Sequence, residues 1–175
     1  MADIYLGQMQ DIVLGQDYLT WLWFKSETGN GQFTTREGEA ISVYVERRVS
    51  VQGGEGESLE TATVSGALSE LREARLGLGT GKKVNRALLR IERDPEAWQV
   101  TLKAEDFTCN GLRTPTIEAG KDPDDDPDAV FLEKIFLIER SLAFLDDLYR
   151  QFLTLRFGSG WEAECSAIRN WIKAA

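Results

Sequence analysis

The sequence predicts an α+β fold: an antiparallel sheet of about four strands with a crossover helix, then a long C-terminal helix and a short terminal helix. Three observations predict it. Apolar residues recur with period two in two stretches between Ala40 and Ala104, the period of half-buried strands. Helical spacing separates those two stretches. From Ala129 onward apolar residues step by four and three without a break, the period of a helix. The order strand–strand–helix–strand–strand favours an antiparallel sheet with a helix on one face. All 175 residues read as one domain, with an apolar helix at 14–27, a sheet region at 40–104, an acidic, proline-bearing loop at 110–128 and a helical region at 129–173. A chain of this length buries roughly two-thirds of its unfolded surface, so it needs no disulfide or metal to fold.

Each element has its own signal. Leu14, Tyr18, Trp21 and Leu22 fall on one helical face, while Leu19, Trp23 and Phe24 make the other faces apolar too. A helix apolar nearly all round is buried or lies at an interface. Thr28-Gly29-Asn30-Gly31 stops it. Ile41, Val43, Val45, Val49 and Val51 alternate with polar residues, and only Arg47 breaks the apolar face. Gln52 to Gly56 makes a turn, and Glu57 to Ser65 a weakly apolar return strand, which reads as an edge. Leu68, Leu71 and Ala74 then mark a helix that ends at Gly77 to Gly81. Ala87, Leu89 and Ile91 pair with Trp98, Val100 and Leu102 in a second hairpin turned at Asp94-Pro95-Glu96.

The long helix opens with Asp126 as N-cap, Pro127 at the first helical position and Asp128 facing the dipole. Its seam is Phe131, Ile135, Ile138, Leu142, Leu145, Tyr149 and Phe152, widened by Leu132, Phe136, Leu148 and Leu155. Gly158 ends it. Ser159 and Glu162 read as a capping box for the last helix, whose apolar face is Trp161, Cys165, Ile168 and Trp171 or Ile172.

Composition excludes several chemistries. There is no histidine, which removes Ser-His-Asp and Cys-His nucleophilic sites, His-ligated zinc and facial-triad iron. Cys109 and Cys165 are too few for a cysteine-only zinc site. The N-terminus has no basic region before a long apolar run, and no window is apolar enough to span a membrane. Two widely separated cysteines fit a reducing compartment. The expectation is a cytoplasmic protein with no membrane partner, metal or cofactor.

Three motifs invite chemistry and fail on their details. Asp122, Asp124, Asp126 and Glu133 have the spacing of calcium ligands, but Pro127 stands where the loop needs glycine. Gly77-Leu78-Gly79-Thr80-Gly81-Lys82-Lys83 lacks both the first glycine and the hydroxyl residue of a P-loop. Asp146 and Asp147 are neighbours on a helix, so they point about 100° apart, and Asp146 pairs more naturally with Arg150. A carboxylate-and-metal hydrolase would need a convergent acidic motif that is not there.

The charge pattern is more informative. The chain carries a net charge of −9, yet Arg72 to Arg93 holds seven bases against two acids. Arg72, Arg75, Lys82, Lys83, Arg86 and Arg90 are therefore the candidate phosphate contacts for double-stranded DNA. The competing reading is an ordinary charged face. The seam residues Phe131, Ile135, Ile138, Leu142, Leu145 and Tyr149 are the candidate interface of a homo-oligomer, because they exceed what one thin sheet face covers.

Four blocks carry a family resemblance: Leu14-Gly15-Gln16-Asp17-Tyr18-Leu19-Thr20-Trp21-Leu22-Trp23-Phe24-Lys25-Ser26-Glu27, the Glu73-Ala74-Arg75-Leu76 to Gly81-Lys82 stretch, Trp98-Gln99-Val100-Thr101-Leu102, and Trp161 to Trp171. Together they resemble the C-terminal half of RdgC-like recombination-associated proteins, over roughly Leu14 to Ile172. The resemblance implies a non-enzymatic protein that binds double-stranded DNA with little sequence preference, forms a ring-like dimer and modulates a RecA-type recombinase. Members of that family are considerably longer, so a half-length chain of this kind strains the expectation of a closed ring. The alternative is an acidic interaction or assembly protein that binds no nucleic acid.

Overall fold

The computed structural model describes residues 12–53, 60–65, 68–117 and 126–174. In chain order the elements are α1 (Ile12–Thr28), β1 (Gln32–Thr34), β2 (Ala40–Gly53), β3 (Glu60–Ser65), α2 (Leu68–Gly79), β4 (Lys83–Arg93), β5 (Glu96–Lys103), β6 (Cys109–Arg113), α3 (Pro127–Arg156) and α4 (Trp161–Lys173). The α+β class, the antiparallel sheet, the crossover helix, the long helix and the short terminal helix are all present.

The sheet has six strands in the order β1-β2-β4-β5-β6, with β3 also paired to β2. One edge of the long strand β2 carries β1 at its start and β3 at its end, and the other edge carries β4. Helix α2 crosses from the β3 edge to β4, so it is the expected crossover. Two strands were not expected. β1 is only three residues long. All of β6 but Cys109 falls inside the segment read as loop, and Leu112 is its one partly buried apolar residue. Both are added at sheet margins by backbone pairing, which needs no apolar alternation. Residues 54–59, which include most of the expected turn and the start of its return strand, lie outside the described residues.

The break at Arg47 is absorbed by the backbone. Val45 pairs with Leu89 and Val49 with Ala87, so β2 carries two more residues than β4 across that step. Val45 and Val49, on either side of this bulge, are both buried. Gly31 turns the chain from α1 into β1 at φ +62°, where a Cβ would collide with the Val43 carbonyl.

Helix α1 lies between the sheet and the α3–α4 pair, which explains why it is apolar all round. Tyr18, Leu19, Trp21, Leu22, Trp23 and Phe24 are all buried. Phe152 of α3 meets Tyr18 and Trp21 at ring separations of 5.4 and 5.6 Å, and Trp171 of α4 meets Trp23 at 5.2 Å. The buried indoles find acceptors for their N–H groups: Trp23 and Trp171 donate to Glu27, Trp21 to Glu164, and Trp98 to the Leu137 carbonyl. These contacts place the tryptophans in the core and not in a base-stacking surface.

Helix α3 is 30 residues long, about 45 Å at ~1.5 Å per residue. Asp126 caps it by accepting from the Asp128 N–H at 3.0 Å. Arg140 bonds Glu39 at 2.6 Å, and Gln151 reaches the Thr34 carbonyl at 3.0 Å, fixing the helix to the β1–β2 turn. The expected capping box on α4 does not form. Gly160 is the N-cap and no side chain caps the helix. Ser159 sits one residue too early, because Gly158-Ser159-Gly160 spends the turn reversing the chain.

Candidate functional site

The six candidate phosphate contacts do not share one face. Ala87, Leu89 and Ile91 point into the core, so Arg86 and Arg90, alternating with them, lie on the outer sheet face. Helix α2 packs on the opposite face, where Gly77 approaches Val51. Arg72 and Arg75 therefore belong to the helical layer. Lys82 and Lys83, at the turn between α2 and β4, line a groove with Arg169 of α4, a base that the sequence pattern did not single out.

Folding has committed some of these bases. Arg75 binds Glu27 at 2.8 Å and the Ala174 carbonyl at 3.1 Å, and it stacks over Trp171 at 5.1 Å. It ties α2 to α1 and α4. Arg90 pairs with Glu92 at 2.6 Å and Glu46 at 3.4 Å. The aliphatic stem of Lys82 lies across Gly53. Arg72, Lys83 and Arg86 remain exposed, and no carboxylate among the described residues bonds them. Arg86 stands directly opposite Lys103 of β5 and beside Ser50 of β2. Like charges in a cross-strand pair are destabilising. Lys103 has a partial counter-charge in Asp106, whose carboxyl is lowered chiefly by Thr108, with Lys103 adding to it. No described helix covers this face, and Arg113 extends it beyond Gln99.

The apolar seam of α3 divides in two. Phe131, Ile135, Ile138 and Leu142 are exposed, as are Leu132 and Phe136 beside them, with 61% of Phe131 and 63% of Leu132 in solvent. Leu145 and Tyr149, expected at the same interface, are buried in the chain's own core. The reason is a neighbouring stripe. Leu137, Ser141, Phe144, Leu148 and Phe152 face the core, and beside them Tyr18 and Phe107 reach the seam at Tyr149.

Two of the three rejected motifs can be followed among the described residues. At the α2–β4 turn the Thr80, Gly81 and Lys82 N–H groups donate to the Gly77 and Leu78 carbonyls at 3.1 Å, so they close the helix and are not free to cradle a phosphate. Asp122 and Asp124 lie outside the described residues. No acidic or cysteine cluster among the described residues could hold a metal ion. Asp146 bonds Arg150 at 2.7 Å while Asp147 accepts from the Arg36 N–H at 2.9 Å, so the two carboxylates diverge as expected.

One feature had no sequence signal. Tyr18, Leu102, Phe107, Cys109, Leu145 and Tyr149 surround a cavity of about 290 Å³ between α1, α3 and the β5–β6 turn. Its residues are scattered over the chain, and Phe107 turns inward at φ +54°. The Tyr18 side chain is 1% exposed, and its hydroxyl has no hydrogen-bond partner among the described residues. Burial pushes that hydroxyl far above the usual phenol range, with Tyr149, Cys109 and Asp146 adding to the effect. Burial also raises the Cys109 thiol.

No protein-family model, curated protein or solved structure matches the chain. No described helix is long and apolar enough to cross a membrane.

Proposed function

We propose that this is a non-catalytic, RdgC-like protein that contacts double-stranded DNA through bases that no carboxylate bonds among the described residues. The observation that carries the reading is the Arg86–Lys103 pair. Two cations set opposite each other on the outer sheet face cost stability in the free protein, and a phosphate between them offsets that cost. Arg113 on the same face is a further contact. Such contacts position a duplex without reading its sequence. Glu46 and Glu92 share this face, where both pair with Arg90. The recombinase partner rests on the family resemblance alone.

Binding to a random-sequence duplex, measured by fluorescence anisotropy across a salt series, tests this. Affinity is expected to fall steeply as salt rises, and Arg86→Gln with Lys103→Gln is expected to lower the salt slope by roughly one per residue. Arg90→Gln, whose charge is already paired, should change the slope less. A chain that binds no duplex even at low salt would sink the reading.

The exposed half of the α3 seam favours a second reading, an assembly module that pairs two copies. Six exposed large apolar side chains present roughly 600 Å², at ~200 Å² for each one fully exposed. With a polar rim this approaches the ~800 Å² per partner of a standard interface. The spacing is self-complementary: antiparallel copies set Phe131 opposite Leu142 and Ile135 opposite Ile138.

A further inference from the structure

We propose that the cavity between α1, α3 and the β5–β6 turn is the seat of Phe131 from a second copy of the chain. Two antiparallel α3 helices then lock together by exchanging one ring each. This seat rests on the pairing of two copies and names the contact that holds the pair.

The exposed seam and the cavity are one continuous feature. Phe131, Ile135, Ile138 and Leu142 run exposed along α3, and Leu142, the last of them, is also a wall of the cavity. Leu145 and Tyr149 continue the same line and form the next two walls. A second copy laid antiparallel over the exposed half sets its Phe131 opposite Leu142, at the edge of the cavity. A helical side chain leans toward its own N-terminus. In an antiparallel pair that lean carries the ring of the second copy past Leu142, toward Leu145 and Tyr149. Two-fold symmetry makes the exchange mutual.

The chemistry and size of the cavity suit a phenyl ring. Leu102, Phe107, Leu142, Leu145 and Tyr149 give it apolar walls. Of its described lining residues only Asp146 carries a charge, and Arg150 bonds that carboxylate at 2.7 Å. The volume is about 290 Å³, against the ~150 Å³ that holds benzene in an apolar protein cavity. Phe107 and Tyr149 stand at 77° with centroids 4.7 Å apart, and rings at such angles offer both faces and edges to a third. An apolar space left empty forfeits the dispersion contacts of its lining. Phe131 is itself 61% exposed, so seating it removes apolar surface on both copies at once. Aromatic anchors that fill a pocket carry most of the energy of an interface.

Isotope-labelled and unlabelled whole chains, mixed in equal amounts, test the seat by NMR. Contacts between chains are expected from the Phe131 ring to the methyl groups of Leu102, which stands in the cavity wall on β5 and not on α3. By sedimentation equilibrium, Phe131→Ala is expected to raise the dissociation constant of the pair roughly 1000-fold, from two symmetric anchors at ~30-fold each. Leu132→Ala, at a neighbouring and comparably exposed position, should raise it less than ~10-fold. A chain that stays monomeric up to its solubility limit would overturn the pairing and the seat together. A pair whose Phe131 ring touches Leu142 but not Leu102 would keep the pairing and overturn the seat alone. So would a pair weakened no more by Phe131→Ala than by Leu132→Ala. Contacts of that ring with residues 1–11 or 118–125 of its own chain would also overturn the seat, by giving the seam a cover from within.

Discussion

Over Phe131–Leu142 and again over Leu145–Phe152, helix α3 repeats one apolar period, yet the first segment keeps its seam side chains exposed while the second buries them. The two segments have the same residue types, the same helix and the same spacing. They differ in what the rest of the chain sets opposite them. Beside the second segment stand Tyr18 of α1 and Phe107 of the β5–β6 turn. Beside the first, the described chain sets Leu112, Pro115 and Ile117 across a cleft from Ile138, which stays exposed. Periodicity therefore reports which side chains share a line on a helix, and burial is decided by a neighbour that the helix does not encode.

Substitutions in the two halves should separate along this line. Phe152→Ala, at a fully buried position touching Tyr18, Trp21, Tyr149 and Trp161, is expected to cost about 3–5 kcal/mol in urea unfolding. A loss under 1 kcal/mol would show that the second half is not core. A smaller effect is expected at the other end: Asp126→Ala removes the N-cap and should cost about 1 kcal/mol. Hydrogen exchange should locate that loss in the first turns of α3. Phe131→Ala should have the smallest effect on unfolding, within ~0.5 kcal/mol, as for exposed positions generally. Its effect should appear instead in light scattering, as loss of the two-chain mass expected of paired copies. A wild-type chain that remains a monomer at high concentration would sharpen the contrast differently, by leaving the first half simply bare.

Much of the fold was legible because period and punctuation survive in a single chain. The alternation in β2, β4 and β5, the stop at Thr28-Gly29-Asn30-Gly31, and Asp126-Pro127 at the start of α3 are local signals with local causes. β1 and β6 were not legible, since three residues and the run Cys109–Arg113 carry no alternation and are held by pairing to strands already formed. The candidate site was legible only as composition. The surplus of bases between Arg72 and Arg93 is real, but it is spread over two faces, and Arg75 and Arg90 are occupied by Glu27, Glu46 and Glu92. Lys103 and Arg169 join the remaining bases from outside that window.

The absence of histidine, the α+β order and the apolar character of α1 follow from the sequence by itself, because each depends on residue identity or on spacing along one element. The pairing of Arg86 with Lys103, the exposed half of the α3 seam and the cavity beside Tyr18 were decided only by the tertiary structure. Each depends on residues distant in the chain meeting across strands and helices, and no local period records who the neighbour will be.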